Sequence, residues 1–303
     1  MDAGHSMPDE DVAAAIAALP CWSGTVEISP LAGGLTNRNF RVSDQSRQSF
    51  VVRIGRDLPE QGVLRYHELA AARAAYAAGI APQVTYAAEG VMVSRFIDGS
   101  PLTPEQMRDP RMLERIAALL RRCHRDIPAH FEGPAMIFWV FQIIRGYLQF
   151  LARRGGQPQG AALTAYAART ERLERAVGAV NIVFGHNDLL AANLIDDGDR
   201  LWLIDWDYAG FNTPLFDLAN LASNNELSPA LETTLLESYF DAPVATATQR
   251  GFAALQCASL LRETLWAAVS ALISTIEFDY RQYGEDYRQR FERRWRDFDG
   301  RYG

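Results

Sequence analysis

The stretch Gly185-His186-Asn187-Asp188-Leu189-Leu190-Ala191-Ala192-Asn193-Leu194-Ile195, followed by Leu203-Ile204-Asp205-Trp206-Asp207, decides how this chain is read. An aspartate, an asparagine five places on and a second aspartate twelve places beyond that surround one short predicted hairpin. Such a loop can aim Asp188 at a substrate hydroxyl, while Asn193 and Asp205 meet from opposite sides of the turn. Both are oxygen donors, suited to a hard cation such as magnesium. A magnesium ion with few protein ligands is normally shared with substrate phosphates. The layout therefore points to phosphoryl transfer, with one carboxylate orienting the nucleophile and two groups holding metal against a triphosphate. A single Asp or Asn is an ordinary turn residue; the spaced set carries the chemistry.

Working outward, the apolar runs 182–184, 193–195 and 201–204 read as short strands, with Asp196-Asp197-Gly198-Asp199 turning between the last two. That acidic turn lacks the spaced ligands and closing glutamate of a calcium loop. On either side the pattern is helical, over 104–124, 137–153 and 162–177 before it and from 229 onward after it. The beginning of the chain has another texture. A helical, alanine-rich segment at 11–19 is stopped by Pro20. Short β-rich runs follow at 25–31, 40–43 and 50–54, then a helical segment at 60–78 ending at Gly79, then runs at 83–86 and 91–96. The predicted fold is α+β, with a small β-rich lobe preceded by a helix over 1–97 and a large helical lobe over 98–303.

The net charge of −7 argues against a broad electrostatic grip on nucleic acid or anionic lipid. All thirty basic residues are arginine, so any step that usually calls for lysine must use a guanidinium. Cys21, Cys123 and Cys257 lie far apart and form no CxxC pair, which fits a reducing compartment. Asp9, Glu10 and Asp11 give the N-terminus the wrong charge for a signal peptide. The apolar stretch 135–144 is too short to span a bilayer, and 252–276 is interrupted by Arg262 and Glu263. A cytoplasmic protein without membrane insertion is expected.

With these motifs in place, the chain resembles the kinase-like phosphotransferases and, more narrowly, the choline/ethanolamine kinase family. "PLAGGLTNRNFRV", "FVVRIG", "HNDLLAANLI", "IDWDYAGFNTPLFDLAN" and "STIEFDYRQYG" occur in that family's order over about Leu31 to Arg290. The resemblance implies a protein-kinase-like two-lobed fold and a transfer from ATP with Mg2+. Asp188 becomes the residue that accepts or orients the hydroxyl proton, and Asn193 and Asp205 the metal ligands. Arg53 stands where related kinases place a phosphate-contacting lysine, and Glu68 is its expected partner. A guanidinium there can bind two phosphate oxygens at once. Gly33, Gly34, Thr36 and Asn37 would turn the first hairpin over the nucleotide. Ser94, Phe96 and Ile97 would line the adenine edge, with Ile204 beneath. His186 is read as a brace for the loop, and His67 and His124 receive no chemical role.

For the acceptor, the resemblance matches Tyr208, Trp266, Tyr280 and Tyr283 to aromatic positions of a choline pocket, where ring faces and a carboxylate hold a methylated ammonium. There are two departures. Glu263 replaces a second tryptophan three places before Trp266, and Asn224, with Glu226 two places on, stands where many members carry a glutamate. Asp207, Glu226 and Glu263 are therefore added to the expected acceptor site. The expected substrate is choline or ethanolamine, and charge attraction could favour a smaller or less methylated amine. An aminoglycoside or other cationic alcohol is the alternative, kept open by Asp207, Glu226, Glu263 and Glu277. A nucleotide-binding module without catalysis is the third reading. A homodimer is left open.

Overall fold

A computed structural model describes residues 9–31, 34 and 36–303 of the chain; Gly33 lies outside the described residues. Helix α1 (Asp9–Ala17) precedes an antiparallel sheet of β1 (Val26–Leu31), β2 (Arg38–Asp44), β3 (Ser49–Ile54), β4 (Val84–Ala88) and β5 (Val91–Arg95), in the order β1-β2-β3-β5-β4. Alternation in β2 and β3 sends Phe40, Val42, Phe50 and Val52 to one face. There they pack with Val93 and with Val12 and Ile16 of α1 in a small core of their own.

Helix α2 (Arg65–Ala77) links β3 to β4 and starts later than the expected residue 60. Pro59–Gln61 instead form a 3-10 turn closed by Gly62 at φ +77°. Ala71, Ala72, Ala74 and Ala75 of α2 are buried, and they belong to the large core of the helical part rather than to that of the sheet.

Beyond residue 97 come α3 (Pro110–Asp126), α4 (Val140–Arg154), α5 (Ala161–Val177), α6 (Pro214–Asn224), α7 (Pro229–Phe240), α8 (Thr246–Ile273) and α9 (Tyr280–Tyr302). The continuous helix expected over 104–124 is interrupted. Gln106–Arg108 form a 3-10 turn, and α3 begins only at Pro110. The residue before a proline is disfavoured in helical geometry, and Asp109 sits there extended, its side chain accepting from the Arg111 N–H at 2.9 Å. Helix α8 runs through the middle of this part, packed by α4, α5, α6 and α9, and is buried along most of its length. Among the described residues no helix is long and apolar enough to cross a membrane.

Short strands lie between α5 and α6, with one before α3. Strands β6 (Ser100–Pro101), β8 (Leu194–Asp196) and β9 (Leu201–Leu203) form one small sheet; β7 (Val183–Gly185) pairs with β10 (Gly210–Asn212). The β8–β9 hairpin was expected. Strands β6 and β10 were not, since runs of two or three residues carry no readable period, and neither was helix α6. Gly210 permits β10: a Cβ there would stand 2.8 Å from the Met136 carbonyl oxygen. The α+β arrangement expected from the sequence is the one observed.

Candidate active site

Strand β7 delivers the chain to His186-Asn187-Asp188, and α6 fixes that loop from beneath. Asp217 accepts from the His186 N–H at 2.8 Å and from the Asn187 N–H at 2.7 Å, while Asn220 Oδ1 accepts from the Leu189 N–H. Asn187 sits at φ +68°, and its side-chain amide donates to the Tyr208 carbonyl at 3.0 Å. His186 accepts from the Asp188 N–H through Nδ1 at 3.3 Å, and its Nε2 meets the Ile204 carbonyl at 2.9 Å. The network assigns the proton to Nε2. Burial lowers the pKa of His186, in keeping with the brace expected of it. Burial also pushes Asp188 up to about 7, with Arg262 opposing and Glu263 and Asp205 adding to the rise.

The hairpin joins the other two members of the set. Ile204 N–H donates to the Asn193 carbonyl at 3.0 Å, and Asn193 Nδ2 donates to the Asp188 carbonyl at 2.9 Å. Asn193 and Asp205 both line one cleft of ≈ 390 Å³ between the large sheet and the helical part. Asp205 has φ +68°, and its buried Oδ1 receives no hydrogen bond, although Arg53 Nη2 approaches it as an ion pair at 2.6 Å. A carboxylate beside an asparagine whose amide nitrogen is already engaged, both lining one cleft, is an oxygen donor set that suits a hard cation. Gly34, Arg53, Ser94, Phe96, Ile97 and Ile204 line the same cleft. Gly34 is at φ +92°, and a Cβ there would come within 2.8 Å of the Asn39 side-chain nitrogen.

Arg53 is buried and touches three carboxylates. Its Nη1 hydrogen-bonds Glu68 and lies 3.2 Å from Asp207, and its Nη2 meets Asp205. Burial alone would lower its pKa; the three carboxylates overcome that and hold it well above the ordinary value. Glu68 is raised by burial, against the pull of Arg53. Arg65, absent from the expected site, bonds Glu68 at 2.6 Å and Asp207 at 2.9 Å, and its Nη2 is buried without a partner. Thr36 and Asn37 donate to Asp207 Oδ2 at 2.8 Å and 3.2 Å. This corrects one expectation: Asp207, assigned to the acceptor, is taken up instead by Arg53, Arg65, Thr36 and Asn37. It and Tyr208 are neighbours in a turn whose side chains diverge.

Tyr208, Glu263, Trp266, Tyr280 and Tyr283 do come together. Trp266 Nε1 donates to Tyr208 Oη at 2.9 Å, and its ring lies 5.9 Å from Tyr280 and 5.8 Å from Tyr283. Tyr283 Oη donates to Glu263 Oε2 at 3.1 Å. Glu226 is the second correction. It is exposed at φ +50° after α6, in a separate cavity with Arg290, Arg293 and Arg294. Glu277 is exposed as well, so the four carboxylates that kept a polycation open do not converge. Arg262, used in the sequence only as a break in an apolar run, is the residue missed here. It reaches Asp188 Oδ1 at 3.4 Å and hydrogen-bonds Glu263. No local spacing could have revealed a contact across 74 residues.

Known proteins resemble this chain over most of its length. A family model for choline/ethanolamine kinases matches residues 28–232. Ethanolamine kinase 2 of Mus musculus is 27% identical, the match covering 88% of this chain and 82% of that protein. The crystal structure of a choline/ethanolamine kinase family protein from Mesorhizobium loti has a TM-score of 0.77 and 26% identity, covering 94% of each chain. A crystal structure of LicA in complex with AMP has a TM-score of 0.74 and 21% identity, covering 95% of this chain and 96% of that one. The matched region contains β2, β3, the Asp188 loop and the Asp205 hairpin, so the chain belongs to the choline/ethanolamine kinase family and is a phosphotransferase acting on an alcohol.

Proposed function

We propose that the enzyme transfers the terminal phosphoryl group of ATP to the hydroxyl of choline or ethanolamine, in the cleft between a nucleotide lobe, residues 1–97, and an acceptor lobe, residues 98–303. The observation that carries this reading is that Asn193, tied to the Asp188 loop, and Asp205 stand at the two ends of one hairpin and line a cleft that also holds Arg53. Asp188 accepts the hydroxyl proton as the oxygen attacks, and a carboxyl held up to about 7 is matched to that task near neutrality. Arg53, fixed by Glu68, faces the phosphates, and the LicA complex with AMP supports a nucleotide in the same fold. Gly34, Thr36 and Asn37 cover the phosphates, and Ser94, Phe96, Ile97 and Ile204 form the adenine side. Asn193 and Asp205 would hold Mg2+, which when bound neutralises charge on the phosphate oxygens. Tyr208, Trp266, Tyr280, Tyr283 and Glu263 form the acceptor wall. The three cysteines are free, which suits the cytoplasm, where ATP is at hand.

A panel of choline, ethanolamine and aminoglycosides with ATP and magnesium, read by ADP release, tests the reading. Turnover is expected on an amino-alcohol. Asp188→Ala is expected to lower turnover by ~10²–10⁴-fold while nucleotide affinity holds. Turnover confined to aminoglycosides would replace the acceptor. No turnover on any acceptor would leave a nucleotide-binding module.

A further inference from the structure

Arg262 is 1% exposed, and its guanidinium stands over the Tyr208 ring, with Cζ 4.2 Å from the centroid and 5.7 Å from that of Phe138. The face of an electron-rich ring is what an aromatic wall offers to an ammonium headgroup. Here the protein's own cation covers one face of Tyr208, the wall ring that adjoins Asp207 in sequence. The surrounding groups are engaged too. Glu263, the carboxylate in the wall, is paired with Arg262 through one oxygen and accepts from Tyr283 through the other. The Tyr208 hydroxyl is tied to Trp266.

An acceptor that places its hydroxyl at Asp188 and turns its amine toward the Tyr208 wall brings that amine close to Arg262 Nη1, itself 3.4 Å from Asp188 Oδ1. The two cations repel. A primary ammonium can offset this by donating charge-assisted hydrogen bonds to the carboxylates of Asp188 and Glu263. A trimethylammonium has no N–H to donate, is bulkier, and finds the ring face occupied. We propose that Arg262 sets the acceptor class, its guanidinium taking the aromatic seat so that the enzyme selects primary amino-alcohols over quaternary ones. This rests on the amino-alcohol reading above and goes further by naming which member is used and which side chain decides.

The test is kcat and KM for ethanolamine, its mono- and dimethyl derivatives and choline. It uses wild type, Arg262→Met and the charge-balanced Arg262→Met/Glu263→Gln. In wild type kcat/KM is expected to fall with each added methyl, by at least about tenfold across the series. In the variants that ratio is expected to shrink at least about tenfold, chiefly through the KM for choline, with the KM for ATP little changed. A flat series in wild type, or a preference for choline, overturns the proposal without any variant having to fold. An unchanged ratio in a folded charge-balanced variant overturns it as well. Turnover of none of the four amines by wild type overturns the amino-alcohol reading and the proposal together, so the two failures are told apart by wild type alone.

Discussion

His67 Nε2 accepts the Met136 backbone N–H at 3.0 Å, so the imidazole must be neutral in the fold. Burial lowers its pKa below the usual 6.5, as it does for His186. The unfolded chain therefore binds more protons as pH falls, and these groups contribute stability fully above ~6.5 that is lost as pH drops through their folded values. The Asp188 carboxyl, held up to about 7, pulls the other way over the same range, so the histidine contribution is read from the difference between wild type and a His67 variant. His67→Leu should melt lower at pH 7.5, having orphaned the Met136 N–H, with the gap to wild type narrowing below 6.5. Parallel curves from calorimetry would remove His67 from this account. The readable residues were the ones close in sequence: Asp188, Asn193 and Asp205 lie within one hairpin's reach. Arg262 and Arg65 act through contacts with residues 74 and 142 positions away, Asp188 and Asp207 respectively, and only the folded chain reveals them.

At the scale of an element, the entry to α3 shows what periodicity hides. The apolar spacing runs smoothly back through 104, yet the helix starts at Pro110 because Asp109 is held extended and caps it. Asp109→Ala is expected to destabilise the protein by about 1 kcal/mol, seen as a lower denaturation midpoint with unchanged slope. Turnover should be unaffected, since the cap lies outside the cleft. A midpoint equal to wild type would mean that Pro110 alone starts the helix. Elements with a period or firm punctuation, such as β2, β3, α5 and the β8–β9 hairpin, were legible to within a residue or two. Helix α6 was not, although it supplies Asp217 and Asn220 beneath the Asp188 loop. Its sequence is apolar with scattered polar residues, of which Asp217 and Asn220 find partners in the loop after β7.

Across the whole molecule, no group of three or more His, Cys, Asp or Glu that could hold an ion appears among the described residues. The proposed site offers two oxygen ligands, from Asn193 and Asp205, and nucleotide phosphates would complete the shell of a divalent ion there. Adding a chelator is expected to abolish turnover while leaving the melting temperature of the nucleotide-free enzyme within about a degree. A large drop in stability would point instead to a structural ion.

The division of cores has a mechanical consequence. The sheet carries Arg53 on its own small apolar body, whereas α2, which carries Glu68, is rooted in the larger one. The bond between these side chains is thus a strut joining two separately packed masses. Any rocking that widened the cleft would have to break the Arg53 contacts to Asp205 and Asp207, and then either snap that strut or tilt α2 against its alanine bed.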